Sequence, residues 1–148
     1  MAETRLSQAE ADELIQLPKH RQNDDLWRYP SLGGKVTVPL QAENRKELFL
    51  LDVARSRIEL SKCTHQNRVE QTIILLRLDV GGAPHRNPDN TEVGNDHLHV
   101  YREGYADKFA IPLPVELSNT SDLWDLLHRF MEYCNIVTPP RFEGGLFT

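Results

Sequence analysis

Apolar positions recur at helical spacing near both ends of this chain and at strand spacing between them. Leu6, Leu14, Ile15 and Leu17 give a modest helical face. Ser7-Gln8-Ala9-Glu10 in front of it is a capping-box pattern, and Pro18 disfavours helix at Leu17. Residues 18–34 read as loop, punctuated by Pro18, Asn23-Asp24-Asp25, Pro30 and Gly33-Gly34, with Trp27 and Tyr29 pinning it to the body. Strand patterns follow over 35–40, 47–53, 57–62 and 69–80. In the third of these Ile58 and Leu60 point inward and Arg57, Glu59 and Ser61 outward. In the fourth, Arg77 and Asp79 lie opposite Leu76 and Leu78. Residues 97–103 and 108–113 form a hairpin around Gly104-Tyr105-Ala106-Asp107. Helical spacing returns at Leu123, Leu126, Leu127, Phe130, Met131 and Cys134, with Thr120 or Ser121 as cap and Asp122 in the first turn.

Short spacings between successive strands imply an antiparallel meander. The fold class predicted is α+β: a curved antiparallel sheet of five or six strands with an N-terminal and a C-terminal helix against one face. Residues 1–148 make a single domain, with helix and loop over 1–34, sheet over 35–113 and helix over 120–136.

One strand is unusual in what it displays. In Asp96-His97-Leu98-His99-Val100-Tyr101-Arg102-Glu103-Gly104, the alternation places His97, His99, Tyr101 and Glu103 in one row. Leu98 and Val100 point the other way, into a core. The connection before it, Gly81 to Asn90, is turn-forming throughout and carries His85 and Arg86. Arg77 and Asp79 end the preceding strand. A loop rich in chemical side chains beside such a row is a common layout for an active site.

Composition narrows the classes. The chain has 148 residues, 39% hydrophobic and 26% charged, which suits a soluble domain with a real core. Seventeen Lys and Arg against 22 Asp and Glu give a net charge of −5, which argues against generic nucleic-acid coating. A local cluster, Arg55, Arg57, Lys62, His65 and Arg68, is the candidate RNA-contacting patch. Cys63 and Cys134 form no CxxC and read as reduced, buried thiols of a cytoplasmic protein. No apolar run spans a membrane.

Two chemistries suit the histidine row. His97-x-His99 is a chelating pair for zinc, iron or copper, with Glu103, Asp79, His85 or Asp96 to complete it. The His-x-His-x3-Glu spacing resembles the first metal motif of cupins, but lacks the flanking glycines. The other chemistry is metal-free RNA cleavage. It requires a base for the 2′-hydroxyl proton, an acid for the leaving oxygen and cations for the phosphorane. Imidazole serves either proton role. Here His99 and His97 share acid and base work, His85 assists, Tyr101 orients or donates, and Arg77 steadies phosphate, ahead of Arg86 and Arg102.

The runs Phe49-Leu50-Leu51-Asp52, Arg57 to Thr64, Leu76-Arg77-Leu78-Asp79, Pro84 to Asp89, His97 to Tyr105 and Phe130 to Ile136 together resemble a family of small bacterial and prophage proteins of unknown function. The resemblance covers most of the chain after Lys35. It implies mobile-element cargo, and hence toxin, defence or anti-defence roles. The Pro-His…His-x-His-x-Tyr style is also distantly similar to small proteins of toxin–antitoxin pairs.

The expected function is therefore a small metal-independent endoribonuclease of toxin type, with no cofactor, acting on RNA and held by a cognate antitoxin. The first alternative is a phage or prophage module that binds a host or phage protein without catalysis. The second is a metal-dependent enzyme using His97, His99 and Glu103.

Overall fold

The computed structural model describes residues 6–120 and 122–144. Helix α1 (Gln8–Gln16) starts on the capping box: the Ser7 hydroxyl accepts from Glu10 N, and the Glu10 carboxylate accepts from Ser7 N. It stops at Leu17, ahead of Pro18. Helix α2 (Leu123–Tyr133) is capped by Asp122, whose carboxylate accepts from Trp124 N. Thr120 plays a lesser part, accepting from Asp122 N, and Ser121 lies outside the described residues.

The strands are β1 (Lys19–Arg21), β2 (Leu26–Arg28), β3 (Lys35–Ala42), β4 (Leu48–Arg55), β5 (Cys63–Val69), β6 (Ile73–Val80), β7 (His85–Arg86), β8 (Glu92–Val93), β9 (His97–Val100), β10 (Ala110–Pro112), β11 (Ile136–Thr138) and β12 (Arg141–Glu143). Eight build one open sheet in the order β10-β9-β6-β5-β4-β3-β1-β11. Neighbours are antiparallel, except that β1 and β11 run parallel. β2 pairs with β12, and β7 with β8.

Three sequence expectations need correction. The main sheet has eight strands, not five or six, because β1 and β11 span only three residues each and show no readable period. Residues 57–62 are no strand; they lie in the loop between β4 and β5, with Ile58 and Leu60 outward. Alternation permits extended chain, but a strand also needs a partner. The run 69–80 is broken, because Glu70 and Gln71 adopt positive φ (54° and 70°) and turn β5 into β6. The sheet is also open among the described residues, unlike a closed cupin barrel.

Register sorts the side chains into two faces. Val36, Val53, His65, Leu78 and Leu98 align across five strands and join the core that α1 and α2 cover. Leu6 just before α1, Ala11 of α1 and Leu127 and Phe130 of α2 belong to that same core. On the opposite face, Thr37, Asp52, Gln66, Arg77 and His99 form a second row across the same five strands. Beside it run Thr64, Asp79 and His97. The sheet thus has one apolar face and one face of hydrogen-bonded polar groups.

One buried cation ties the helices to the sheet edge. The Lys19 ammonium donates to the carbonyls of Ile15 (2.8 Å), Leu17 (3.1 Å) and Cys134 (2.7 Å), at the C-terminal ends of both helices. Burial pulls its pKa down to about 8, with Cys134 opposing.

Candidate active site

β6 and β9 are adjacent and antiparallel, with Arg77 opposite His99 and Asp79 opposite His97. Both imidazoles are buried, at 3% and 1% exposure, although their face of the sheet is polar. The β7–β8 hairpin covers them. Its His85 ring lies 4.6 Å from the His99 ring and 5.6 Å from that of His97, centre to centre. The Asn87 side chain holds this hairpin down, accepting from Ala110 N (2.8 Å) and donating to Ala110 O (3.0 Å).

Each imidazole has one nitrogen committed to a backbone carbonyl, and a carbonyl can only accept. His97 Nδ1 therefore donates to Gly94 O (2.8 Å), His99 Nδ1 to Asp107 O (2.7 Å) and His85 Nε2 to Lys108 O (2.8 Å). When neutral, His97 and His99 carry their lone pairs on Nε2, and His85 carries its own on Nδ1.

Asp79 is the carboxylate that both buried rings face through Nε2. Its Oδ2 lies 3.3 Å from His99 Nε2 and 3.6 Å from His97 Nε2, while its Oδ1 accepts from the Thr64 hydroxyl at 2.9 Å. Burial would raise its carboxyl pKa. The His99 hydrogen bond, the Arg77 charge and the Thr64 hydroxyl outweigh that and hold it down at about 2.

Arg77 makes three side-chain hydrogen bonds. Nε donates to Asp79 Oδ2 (3.2 Å), Nη1 to Asp107 Oδ2 (2.8 Å) and Nη2 to His99 Nε2 (3.1 Å). Gripping phosphate, its expected role, would compete with these three bonds. The ligand atoms of Asp79, His97 and His99 lie within 4.8 Å of one another, a chelating set in type. The guanidinium, however, already sits against two of those atoms and supplies the positive charge a metal would bring.

The other expected site residues lie elsewhere. The Tyr101 hydroxyl accepts from Leu6 N (3.1 Å) and donates to Leu6 O (2.9 Å), within the core and just past the end of β9. Glu103 accepts from Gln8 N at the start of α1, so Asp79 takes the place Glu103 was expected to fill. Arg102 stacks on Phe109, 3.9 Å from the ring centre, and Arg86 pairs with Glu92. The cationic cluster divides. Arg68 binds Asp52 through Nε and Nη2 (2.6 and 2.9 Å), and Arg55 lies over Tyr29 with Nη1 on Pro30 O (3.3 Å). Arg57 and Lys62 are exposed, and His65 is in the core.

Sequence reasoning missed Asp107, which serves the site twice: its carbonyl orients His99 and its carboxylate holds Arg77. The signal was there, because a hairpin closing at Gly104 to Asp107 brings the residues after the turn back beside β9.

Residues 6–136 match the model of a family of unknown function, DUF6978. No curated protein and no solved structure matches the chain. Among the described residues, no helix is long and apolar enough to cross a membrane.

Proposed function

The chain belongs to DUF6978, and from the geometry of its histidine cluster we propose that it is a metal-independent endoribonuclease. The observation that carries this reading is the placement of His85, whose Nε2 donates to Lys108 O at 2.8 Å and whose ring stands 4.6 Å from that of His99, with Arg77 Nη2 3.1 Å and Asp79 Oδ2 3.3 Å from His99 Nε2 behind it. A neutral His99 accepts from Arg77, and a protonated His99 donates to Asp79. Each state of Nε2 therefore has one partner and one opposed neighbour, the carboxylate in the first case and the guanidinium in the second, and this charged cluster lies directly behind His85.

The roles differ from those read along the sequence. His85 is half-buried and is the least enclosed of the three imidazoles, so it meets the substrate. With Nε2 held by Lys108 O, its Nδ1 takes the 2′-hydroxyl proton. The 2′-oxygen then attacks phosphorus, the bond to the 5′-oxygen breaks, and the departing oxygen takes a proton from water. The products are a 2′,3′-cyclic phosphate and a 5′-hydroxyl. Lys108 is exposed beside His85 and offsets charge on the phosphate. His97, His99, Asp79 and Arg77 are positioning residues behind His85. A toxin role on a mobile element is supported only by the sequence resemblance.

The test is incubation of purified protein with single-stranded RNA, with and without EDTA. Cleavage should persist in EDTA, leave cyclic phosphate ends and spare DNA of the same sequence. His85→Ala should lose roughly 10²–10⁴-fold in rate with an unchanged circular-dichroism spectrum. Absence of cleavage by folded protein, or its loss in EDTA, would overturn the proposal.

A further inference from the structure

The β7–β8 hairpin lies over His97 and His99 without belonging to the core beneath them. Of residues 81–96 only Asn87 is buried, at 7% exposure, and no apolar side chain of that stretch joins the core. The hairpin is firm within itself. Asn87 N donates to Thr91 O and Asn90 N to Asn87 O, both at 2.8 Å, and Arg86 pairs with Glu92 at 2.9 Å. A unit with its own bonding and so little apolar anchorage opens at a lower cost than global unfolding.

Three side-chain hydrogen bonds hold it down. Asn87 makes two, with Ala110 N (2.8 Å) and Ala110 O (3.0 Å), and His85 Nε2 makes one to Lys108 O (2.8 Å). The Arg102 charge reaches exposed Asp89 at the tip, which adds little across solvent. Opening gives all of these groups to water, so their net hold is modest. The stem, in contrast, is fixed. Gly81 N donates to Asp96 Oδ1 at 2.8 Å, and Gly81 is wedged against Ser61 O, where a Cβ would lie at 2.8 Å. His97 Nδ1 donates to Gly94 O on the other side. The chain can turn at Gly82 and Gly94. A Cβ at Gly82 would meet only the flexible end of Lys62, and one at Gly94 nothing within 4 Å.

We propose that residues 82–94 form a lid that swings on Gly82 and Gly94, with Asn87 as its latch. Closed, it seats the His85 ring 4.6 Å from that of His99 and keeps His97 and His99 buried. Open, it carries His85 away and turns the Nε2 atoms of His97 and His99, with the Asp79 carboxylate beside them, toward solvent. The three imidazoles stand together only while the lid is shut, and a solute reaches the inner pair only while it is open. This motion follows from burial and hydrogen bonding alone, whether or not the cluster cleaves RNA.

The test is timed labelling of the full chain with diethyl pyrocarbonate, which acylates neutral imidazole, read by mass spectrometry of the resulting peptides. His65 is the internal control, because it is fully buried on the apolar face and reacts only when the molecule unfolds as a whole. In the wild type, His97 and His99 should react more slowly than His85 but at least ~10-fold faster than His65. Asn87→Ala should raise the rates at His97 and His99 at least ~10-fold and leave the rate at His65 unchanged. The proposal is overturned if His97 and His99 react in step with His65 in the wild type, or if a folded Asn87→Ala chain labels them no faster. An equal rise at His65 would mean that the variant unfolds globally, and the wild-type comparison then decides alone.

Discussion

Arg77 and His99 face each other across the β6–β9 ladder with Nη2 3.1 Å from Nε2, so the guanidinium occupies the space where the lone pair of the imidazole is aimed. That contact decides whether the cluster is an organic cation site or a metal site. Arg77→Met removes the cation and leaves Asp79, His97 and His99 with converging ligand atoms. The variant should bind one Zn²⁺ at least ~10-fold more tightly than the wild type, measured by competition with a chromophoric chelator. Equal affinity would mean that the guanidinium does not block the site.

His65 governs acid stability. It is fully buried on the apolar face, its Nδ1 has no hydrogen-bond partner, and burial pushes its pKa down to about 4. A depressed folded pKa means that the unfolded chain takes up the proton first. Stability is therefore complete above the ordinary value near 6.5 and falls as pH drops toward 4. The slope should approach about 1.4 kcal/mol per pH unit within that window. Urea unfolding of His65→Leu at a series of pH values should lack this component.

Tyr101 is a structural residue, and its loss should be felt in stability alone. Tyr101→Phe leaves the N–H and C=O of Leu6 without the hydroxyl that serves both. Denaturant unfolding should show a loss of about 1–3 kcal/mol. RNA cleavage by the folded variant should match the wild type, and a selective loss of cleavage would return the phenol to the site.

Gly81 sets the entry to the hairpin that carries His85. It has φ +78° and no room for a Cβ against Ser61 O. Gly81→Ala should destabilise by at least roughly 1–2 kcal/mol, from the left-handed backbone alone. The His85 ring should also shift relative to His97 and His99, which appears as changed imidazole chemical shifts in NMR spectra.

The site was legible wherever it depends on period-two alternation. Arg77 and Asp79 on one strand and His97 and His99 on the next could be placed on one face from spacing alone, and the structure sets them opposite one another. Tyr101 was misassigned because β9 ends at Val100, and alternation says nothing about where a strand stops. Glu103 was misassigned for the same reason. Arg57 to Lys62 carried a strand pattern without a strand partner. β1 and β11 were invisible because they become strands only by meeting across the chain. Arg77 looked like a phosphate ligand because its acceptors, Asp79, Asp107 and His99, come from three segments.

The pairing of β1 with β11 has a consequence for synthesis of the chain. Lys19 leaves the ribosome 115 residues ahead of Cys134, whose carbonyl completes its three contacts. Until then, one edge of the sheet has no neighbour and the ammonium lacks one acceptor. A nascent chain arrested before Ile136 should stay protease-sensitive around Lys19, and emergence of β11 should be the step that closes this edge.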